Sequence, residues 1–211
     1  MNGYRLAEND SKDILKRTHF AKHLKNLEMG TEVKVAGWIE DFRDIGKLGF
    51  ITLRDVTGPM QAVLVGEILE KAKDIPRQSN ILVMGVIKAT RSPNFEVEVS
   101  AKDIRVYSKA TLSLPIDPTG RIESNLDNRL DARALDLRNP KISEIFLLRS
   151  EILKIVRNYF YNNEFVEVNT PKIIGSASEG GANLFSFDYF GKRGFLAQSP
   201  QLYKEQLVMA L

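Results

Sequence analysis

The apolar residues of this chain change their repeat once, near Asn139, and that change constrains what it can fold into. Before Asn139 they recur at every second position in short runs, the repeat of half-buried strands; after it they recur at three and four, the repeat of an amphipathic helix. In the first run, Thr31 to Asp41, the residues Val33, Val35, Gly37 and Ile39 share one face. In Gly49 to Asp55, Ile51 and Leu53 face one way and Phe50, Thr52 and Arg54 the other. Met60 to Val65, Ile81 to Ile87, Phe95 to Val99 and Ile104 to Tyr107 complete the set. Thr57-Gly58-Pro59 and Ser92-Pro93-Asn94 supply turns between them. Glu67 to Lys73 reads as one short helix between the third and fourth strands. About five strands with one interposed helix predict an all-β Greek-key barrel of OB type.

Beyond the barrel the chain changes character. Leu114-Pro115-Ile116-Asp117-Pro118-Thr119-Gly120 reads as an extended, proline-rich linker, and Arg121 to Arg138 mixes charges of both signs, which predicts a solvated hinge. Asn139-Pro140 suits a helix N-cap with proline at the first helical position. Ile145, Leu148, Ile152, Ile155, Val156, Tyr159 and Phe160 then predict a helix to about Asn163. An extended stretch follows from Phe165 to Pro171, then short strands at Leu184 to Tyr189 and Gly194 to Ala197, and a last helix from near Pro200. The expected divisions are a polar extension over 1–16, a barrel over 17–110, a hinge over 111–138 and a further domain over 139–211.

Composition excludes several chemistries. There is no cysteine, so disulfides, thiolate catalysis and cysteine-based zinc sites are out. The two histidines, His19 and His23, lie far in sequence from the motifs below and read as surface or packing residues. A net charge of +3 is compatible with nucleic acid and with an ordinary soluble protein alike. Met1 to Lys16 has no apolar stretch resembling a secretory signal, and no run reaches membrane-spanning length, so no membrane partner and a cytoplasmic location are expected.

Four blocks together resemble the aspartyl-tRNA synthetase family, of the archaeal and eukaryotic type. Val35-Ala36-Gly37-Trp38 opens the barrel, and Leu130-Asp131-Ala132-Arg133-Ala134-Leu135-Asp136-Leu137-Arg138 precedes the second domain. Phe165-Val166-Glu167-Val168-Asn169-Thr170-Pro171-Lys172-Ile173 is similar to class II motif 1. Ser176 to Phe185, with Phe195-Leu196-Ala197-Gln198-Ser199-Pro200-Gln201-Leu202-Tyr203-Lys204, is similar to the start of the amino-acid pocket. The resemblance covers nearly all of the chain from Arg17. It implies an anticodon-binding OB-fold followed by the truncated start of an α+β class II aminoacyl-tRNA synthetase catalytic domain.

An aspartate pocket must hold one ammonium and two carboxylates. Glu179, beside Gly180 and Gly181, is a candidate for the ammonium. Gln201 and Lys204 are three apart on the expected helix, hence on one face. An amide there can receive the ammonium or orient the α-carboxylate, and a lysine supplies a compact charge for the side-chain carboxylate. The resemblance implies such roles for these three residues. Lys204 and Pro200 favour aspartate over asparagine, since a buried ammonium aimed at a neutral amide would lack a partner. On the barrel, Phe50 is a candidate platform for a stacked base, Gln61 and Glu96 candidate readers of base edges, and Arg43 a contact to phosphate or base. These four match family positions that bind the anticodon. Glu40 departs from the aromatic or histidine that relatives often carry. Pro171 matches the motif 1 proline, which the resemblance implies lies at a homodimer interface. Asn163-Glu164 departs from the frequent Asn-Gly, so a shifted helix cap is expected with Asn163 in the left-handed conformation. Pro93-Asn94 resembles members that charge tRNA(Asn) as well as tRNA(Asp), which keeps both as candidate substrates.

The resemblance implies ATP and Mg²⁺ as co-substrate and cofactor of the complete enzyme. It also implies that the arginines of motifs 2 and 3 and the acidic metal ligands follow Leu211. The expectation is therefore a ligase chain ending before its catalytic and metal-binding residues, inactive alone and holding neither ATP nor Mg²⁺ well. A non-catalytic tRNA- or RNA-binding module derived from such an enzyme is the alternative, and an asparaginyl or lysyl relative is a third.

Overall fold

The computed structural model of the chain describes residues 16–111, 113–175 and 184–211. It forms two compact units, Met1–Ile142 and Ser143–Leu211.

The first unit is built on a closed barrel of β1 (Glu32–Asp44), β2 (Leu48–Asp55), β3 (Gly58–Val65), β4 (Asn80–Ala89) and β5 (Val97–Ser108), ordered β1-β2-β3-β5-β4. A short helix α1 (Ala21–Leu24) precedes β1, and α2 (Gly66–Lys73) lies between β3 and β4. All neighbouring strands are antiparallel except β3 and β5, whose short parallel pairing closes the barrel. The inward residues are the ones the alternation singles out: Val33, Val35, Ile39, Ile51, Leu53, Ile81, Val83 and Ile87 are all buried. Each such side chain contributes about 1.5–3 kcal/mol relative to leaving it in water. The two expected strands at Phe95–Val99 and Ile104–Tyr107 are one strand. A register shift opposite Met84 and Gly85 leaves Lys102 as an extra residue, and this bulge carries the strand past its charged Lys102-Asp103 step.

A second bulge interrupts β1. Ile39 pairs with Leu53 and Asp41 with Thr52, so Glu40 is the extra residue. Ile39 before it and Phe42 after it both pack on the core. Glu40 and Asp41 are therefore successive residues on the outer face. Close strand approach is set nearby: a Cβ on Gly37 would lie 2.5 Å from the Arg54 carbonyl oxygen, and one on Gly85 would lie 2.3 Å from that of Ser100.

The segment expected to be a solvated hinge is largely exposed over 121–138 and meets the barrel through a few side chains. Asp117 organises its first loop. One carboxylate oxygen accepts from the Thr119 N–H, the other from the N–H groups of Arg121 and Ile122, and the Thr119 hydroxyl reaches both. Burial opposes ionisation of this carboxyl, but the hydrogen bonds outweigh it and hold the pKa below the ordinary value. Ile116 and Asp136 are buried. Asp136 is the partner of Arg129, at 2.8 Å, and of Arg133. These residues sit in α3 (Leu126–Asp131) and α4 (Arg133–Asp136), the former capped by Asn125, which accepts from the Asn128 N–H. At the end of the segment the Arg138 guanidinium lies 4.5 Å from the centroid of the Trp38 ring and donates to Gln78 Oε1 at 3.1 Å. Gln78 holds a left-handed backbone, φ 66°, and is itself buried. A mixed-charge composition reads as solvated because each residue is scored alone; here the charges satisfy one another and the barrel surface.

The second unit is dominated by α5 (Pro140–Asn162), which begins in the first. Asn139 caps it through a 3.1 Å bond from the Lys141 N–H. The left-handed residue at its end is Glu164 (φ 64°), where Asn163 was expected. The N–H of Phe165 reaches the Phe160 carbonyl and that of Glu164 the Tyr161 carbonyl, the paired bonds of a Schellman motif. The Phe160 and Phe165 rings meet at 5.1 Å across it, and Asn163 instead uses its side-chain amide on the Tyr159 carbonyl. A small sheet of β6 (Ile173–Ile174), β8 (Lys192–Leu196) and β7 (Ser186–Tyr189), in that order, precedes α6 (Gln201–Ala210). No residue of α5 or α6 is buried. Ile152, Leu153, Ile155, Val156, Tyr159 and Phe160 are all exposed, so among the described residues nothing covers the apolar stripe.

Two outcomes follow from these contacts. Gly37→Ala forces overpacking against backbone that cannot swing aside, and should cost about 1–3 kcal/mol of barrel stability in urea unfolding; an unchanged midpoint would contradict the close β1–β2 approach. Arg138→Ala should uncover Trp38, the only tryptophan, shifting its emission to the red and raising iodide quenching. Unmoved emission would mean that this segment does not cover the ring.

Candidate nucleic-acid interface and amino-acid pocket

The outer face of β1, β2 and β3 carries the residues that reading of the sequence assigned to nucleic acid. In the cross-strand register, Arg43, Phe50 and Val63 form one row, and Asp41, Thr52 and Gln61 the next. Phe50 is half-buried, opposite in direction to the fully buried Ile51 and Leu53. Its ring is thus on the surface of the barrel, available for stacking. Arg43 is exposed beside it.

Gln61 is only 2% exposed. Its amide nitrogen donates to Glu98 Oε2 at 2.9 Å and to the Thr90 hydroxyl at 3.4 Å. A carboxylate only accepts, so Glu98 fixes which way round the amide stands. Such a charge-assisted bond contributes about 1.5–3 kcal/mol. Thr90 also accepts the Ser92 N–H, and Ser92 the Asn94 N–H, which ties the β4–β5 loop next to this side chain.

Glu96, the expected reader of a base edge, is not the residue bonded to Gln61. It precedes β5, is exposed, and its carboxylate lies 3.4 Å from Lys25 Nζ. The residue beside Gln61 is Glu98. The two glutamates have the same parity along the strand, so alternation cannot choose between them. The parallel β3–β5 register, Ala62 with Val99, brings Glu98 to Gln61, and no local sequence signal carries that pairing. Glu40, the departure from the family pattern, is held by Arg54 through two 3.1 Å bonds.

The amino-acid pocket is assembled less fully. Glu179, with Gly180 and Gly181, lies outside the described residues. Gln201 and Lys204 are on α6, whose first turn is capped by the Ser199 hydroxyl accepting the Gln201 N–H. The side-chain amide of Gln201 donates to Glu205 at 2.7 Å. Lys204 borders a groove of about 380 Å³ formed with Leu153, Val156, Phe160, Phe165 and Val166. Glu167 at its edge is paired with Arg157 at 3.1 Å. Pro171 is exposed in the stretch before β6, and the Lys172 carbonyl accepts the Ala197 N–H. Among the described residues no group of three or more histidine, cysteine, aspartate or glutamate side chains gathers to hold a metal ion. No helix among them is long and apolar enough to cross a membrane.

A family model described as an OB-fold nucleic acid binding domain matches residues 33–107, and one described as tRNA synthetases class II (D, K and N) matches residues 125–211. The chain is 41% identical over 198 residues to an aspartate–tRNA(Asp) ligase of Pyrococcus horikoshii, covering 91% of this chain and 45% of the relative. It is 48% identical to an aspartate–tRNA(Asp/Asn) ligase of Saccharolobus solfataricus, covering 92% and 46%. The crystal structure of the asparaginyl-tRNA synthetase from Pyrococcus horikoshii complexed with asparaginyl-adenylate superimposes with a TM-score of 0.80 at 31% identity, over 93% of this chain and 46% of that one. The chain thus spans a little under half the length of the curated relatives it matches. A closed OB barrel, the class II segment that follows it and the shared identity across both agree that the chain corresponds to an N-terminal fragment of proteins named aspartate–tRNA ligases.

Proposed function

We propose that this chain carries the anticodon-reading domain and part of the aspartate-binding domain of an aspartate–tRNA ligase. The observation that supports it most is the Phe50–Gln61–Glu98 face: an aromatic platform beside an amide whose orientation is fixed by a buried hydrogen bond. Bases splayed from a tRNA loop can stack on Phe50, while the Gln61 carbonyl and the Glu98 carboxylate accept hydrogen bonds from base N–H groups. Arg43 supplies a charge-assisted contact to phosphate or base from the adjacent position.

The reaction in this reading has two steps. The α-carboxylate of aspartate attacks the α-phosphate of ATP, forming aspartyl-adenylate and releasing pyrophosphate. The terminal ribose hydroxyl of tRNA then attacks the adenylate carbonyl, and AMP leaves. This chain's part is to bind and orient: Lys204 pairs with the side-chain carboxylate, Gln201 exchanges Glu205 for the amino acid, and Glu179 takes the ammonium. ATP and Mg²⁺ belong to the same reading, and no residue of this chain is assigned to them. A homodimer would use Pro171 and cover apolar side chains of α5. Substrate tRNA is tRNA(Asp), with tRNA(Asn) the second candidate.

A non-catalytic RNA-binding module is the second reading. It is favoured by the contrast between a fully formed barrel face and an amino-acid pocket open along α6. Pyrophosphate exchange dependent on aspartate and ATP, in a chain spanning the length of its relatives, separates the two. Exchange is expected, with Lys204→Ala raising the aspartate KM by about a hundredfold through the lost charge pair. An unchanged KM would remove Lys204 from the pocket; no exchange with RNA binding retained would favour the module. For the barrel, Phe50→Ala should weaken binding of a tRNA(Asp) anticodon stem-loop by about 1–3 kcal/mol in fluorescence anisotropy, and equal affinity would dismiss the stacking platform.

A further inference from the structure

The bulge at Glu40 sets Asp41 on the outer face, in the row that runs through Thr52 to Gln61. Two guanidinium groups converge on its carboxylate. Arg77 Nη2 lies 2.5 Å from Oδ1, and Arg121 Nη2 lies 3.3 Å from Oδ2. Arg77 comes from the turn after α2. Arg121 comes from the segment beyond the barrel, and its own N–H is one of those held by Asp117. Both arginine side chains are more than half exposed, at 56% and 57%, whereas Asp41 is 21% exposed.

Exposed ion pairs of this kind contribute little to stability, and two arginines on one carboxylate leave a net positive charge. Each guanidinium keeps N–H donors in a planar fork beyond those spent on Asp41, the geometry that matches phosphate oxygens. Asp41 offsets the repulsion between the two cations and fixes where they stand. The pair therefore presents a preformed anion site beside the base-reading row, built half from the barrel and half from the segment that follows it.

We propose that Arg77 and Arg121 form a phosphate-binding pair for the backbone of the RNA strand whose bases meet Phe50 and Gln61, with Asp41 as the residue that positions them. This rests on the reading that the barrel face binds RNA. It extends that face beyond the strands and makes the segment after β5 part of it.

The test is anisotropy titration of the chain with two labelled RNA stem-loops, one carrying the tRNA(Asp) anticodon loop and one a scrambled loop, at several salt concentrations. Arg77→Ala and Arg121→Ala should each weaken both RNAs alike, by about tenfold. Each should also make the slope of log affinity against log salt shallower by about one. Arg77→Lys and Arg121→Lys should restore the slope, which counts charges, but not the full affinity, which needs the planar fork. Asp41→Asn, which releases the two arginines from their positions but keeps both charges, should weaken both RNAs while leaving the salt slope unchanged, and undiminished affinity would remove Asp41 as the positioning residue. Unchanged slopes in both alanine variants, with the parent binding and Trp38 emission unaltered, would leave the two arginines as fasteners of the segment and overturn the proposal. Failure of the parent chain to bind either RNA would overturn the reading of the barrel, and this site with it.

Discussion

A five-stranded barrel closes only if its strands cross at close range, and in this chain the closeness is set where a side chain is absent. At Gly37 and Gly85 the backbone of a neighbouring strand occupies the space that a Cβ would need. Those two approaches let β1 run along both β2 and β4, and β4 along both β1 and β5. Everything on the outer face inherits its spacing from that closure: the rows through Phe50 and Gln61, the reach of Glu98 to Gln61, and the seat that Trp38 offers to Arg138. The apolar interior supplies the free energy, and the two glycines determine the shape in which it is spent.

Much of this was legible in the alternation alone. Ile51 and Leu53 against Phe50 and Thr52 is a pattern that only one orientation of a half-buried strand satisfies, and the structure keeps that orientation. What alternation cannot carry is register between strands distant in sequence. Glu96 and Glu98 have the same parity, and the parallel pairing of β3 with β5 sets the second against Gln61. The segment over 113–138 was illegible for another reason. Its order comes from carboxylates satisfied by several donors at once, Asp117 by three backbone N–H groups and Asp136 by two arginines. Composition records such residues as charged and says nothing of their being matched.

The second unit reverses the relation. Its family motifs were the most specific part of the sequence, and its helix was read correctly from Asn139 to its end. Yet a periodic apolar stripe states only that a face should be covered, not by what. Ile152, Val156 and Phe160 keep their spacing and remain exposed, and Lys204 borders an open groove with the last two. Even the one local misreading is instructive. The chain tolerates a glutamate in the left-handed cap position because two backbone bonds and the Phe160–Phe165 contact hold the turn, with Asn163 spending its amide on the helix itself.

The extra residue in β1 has a consequence for how this surface can vary. At Glu40 the strand carries one residue without a partner. Removing Glu40 would leave Ile39 inward, Asp41 outward and Phe42 inward in plain alternation, so the strand would lose its bulge while Phe42 stays in the core and Arg43 outside. Substitutions at Glu40 or Asp41 change the chemistry of the face one contact at a time, whereas a one-residue deletion there removes an outward side chain together with the bend. The bulge is where the face gains one extra outward side chain, and losing it would straighten the strand without turning it over.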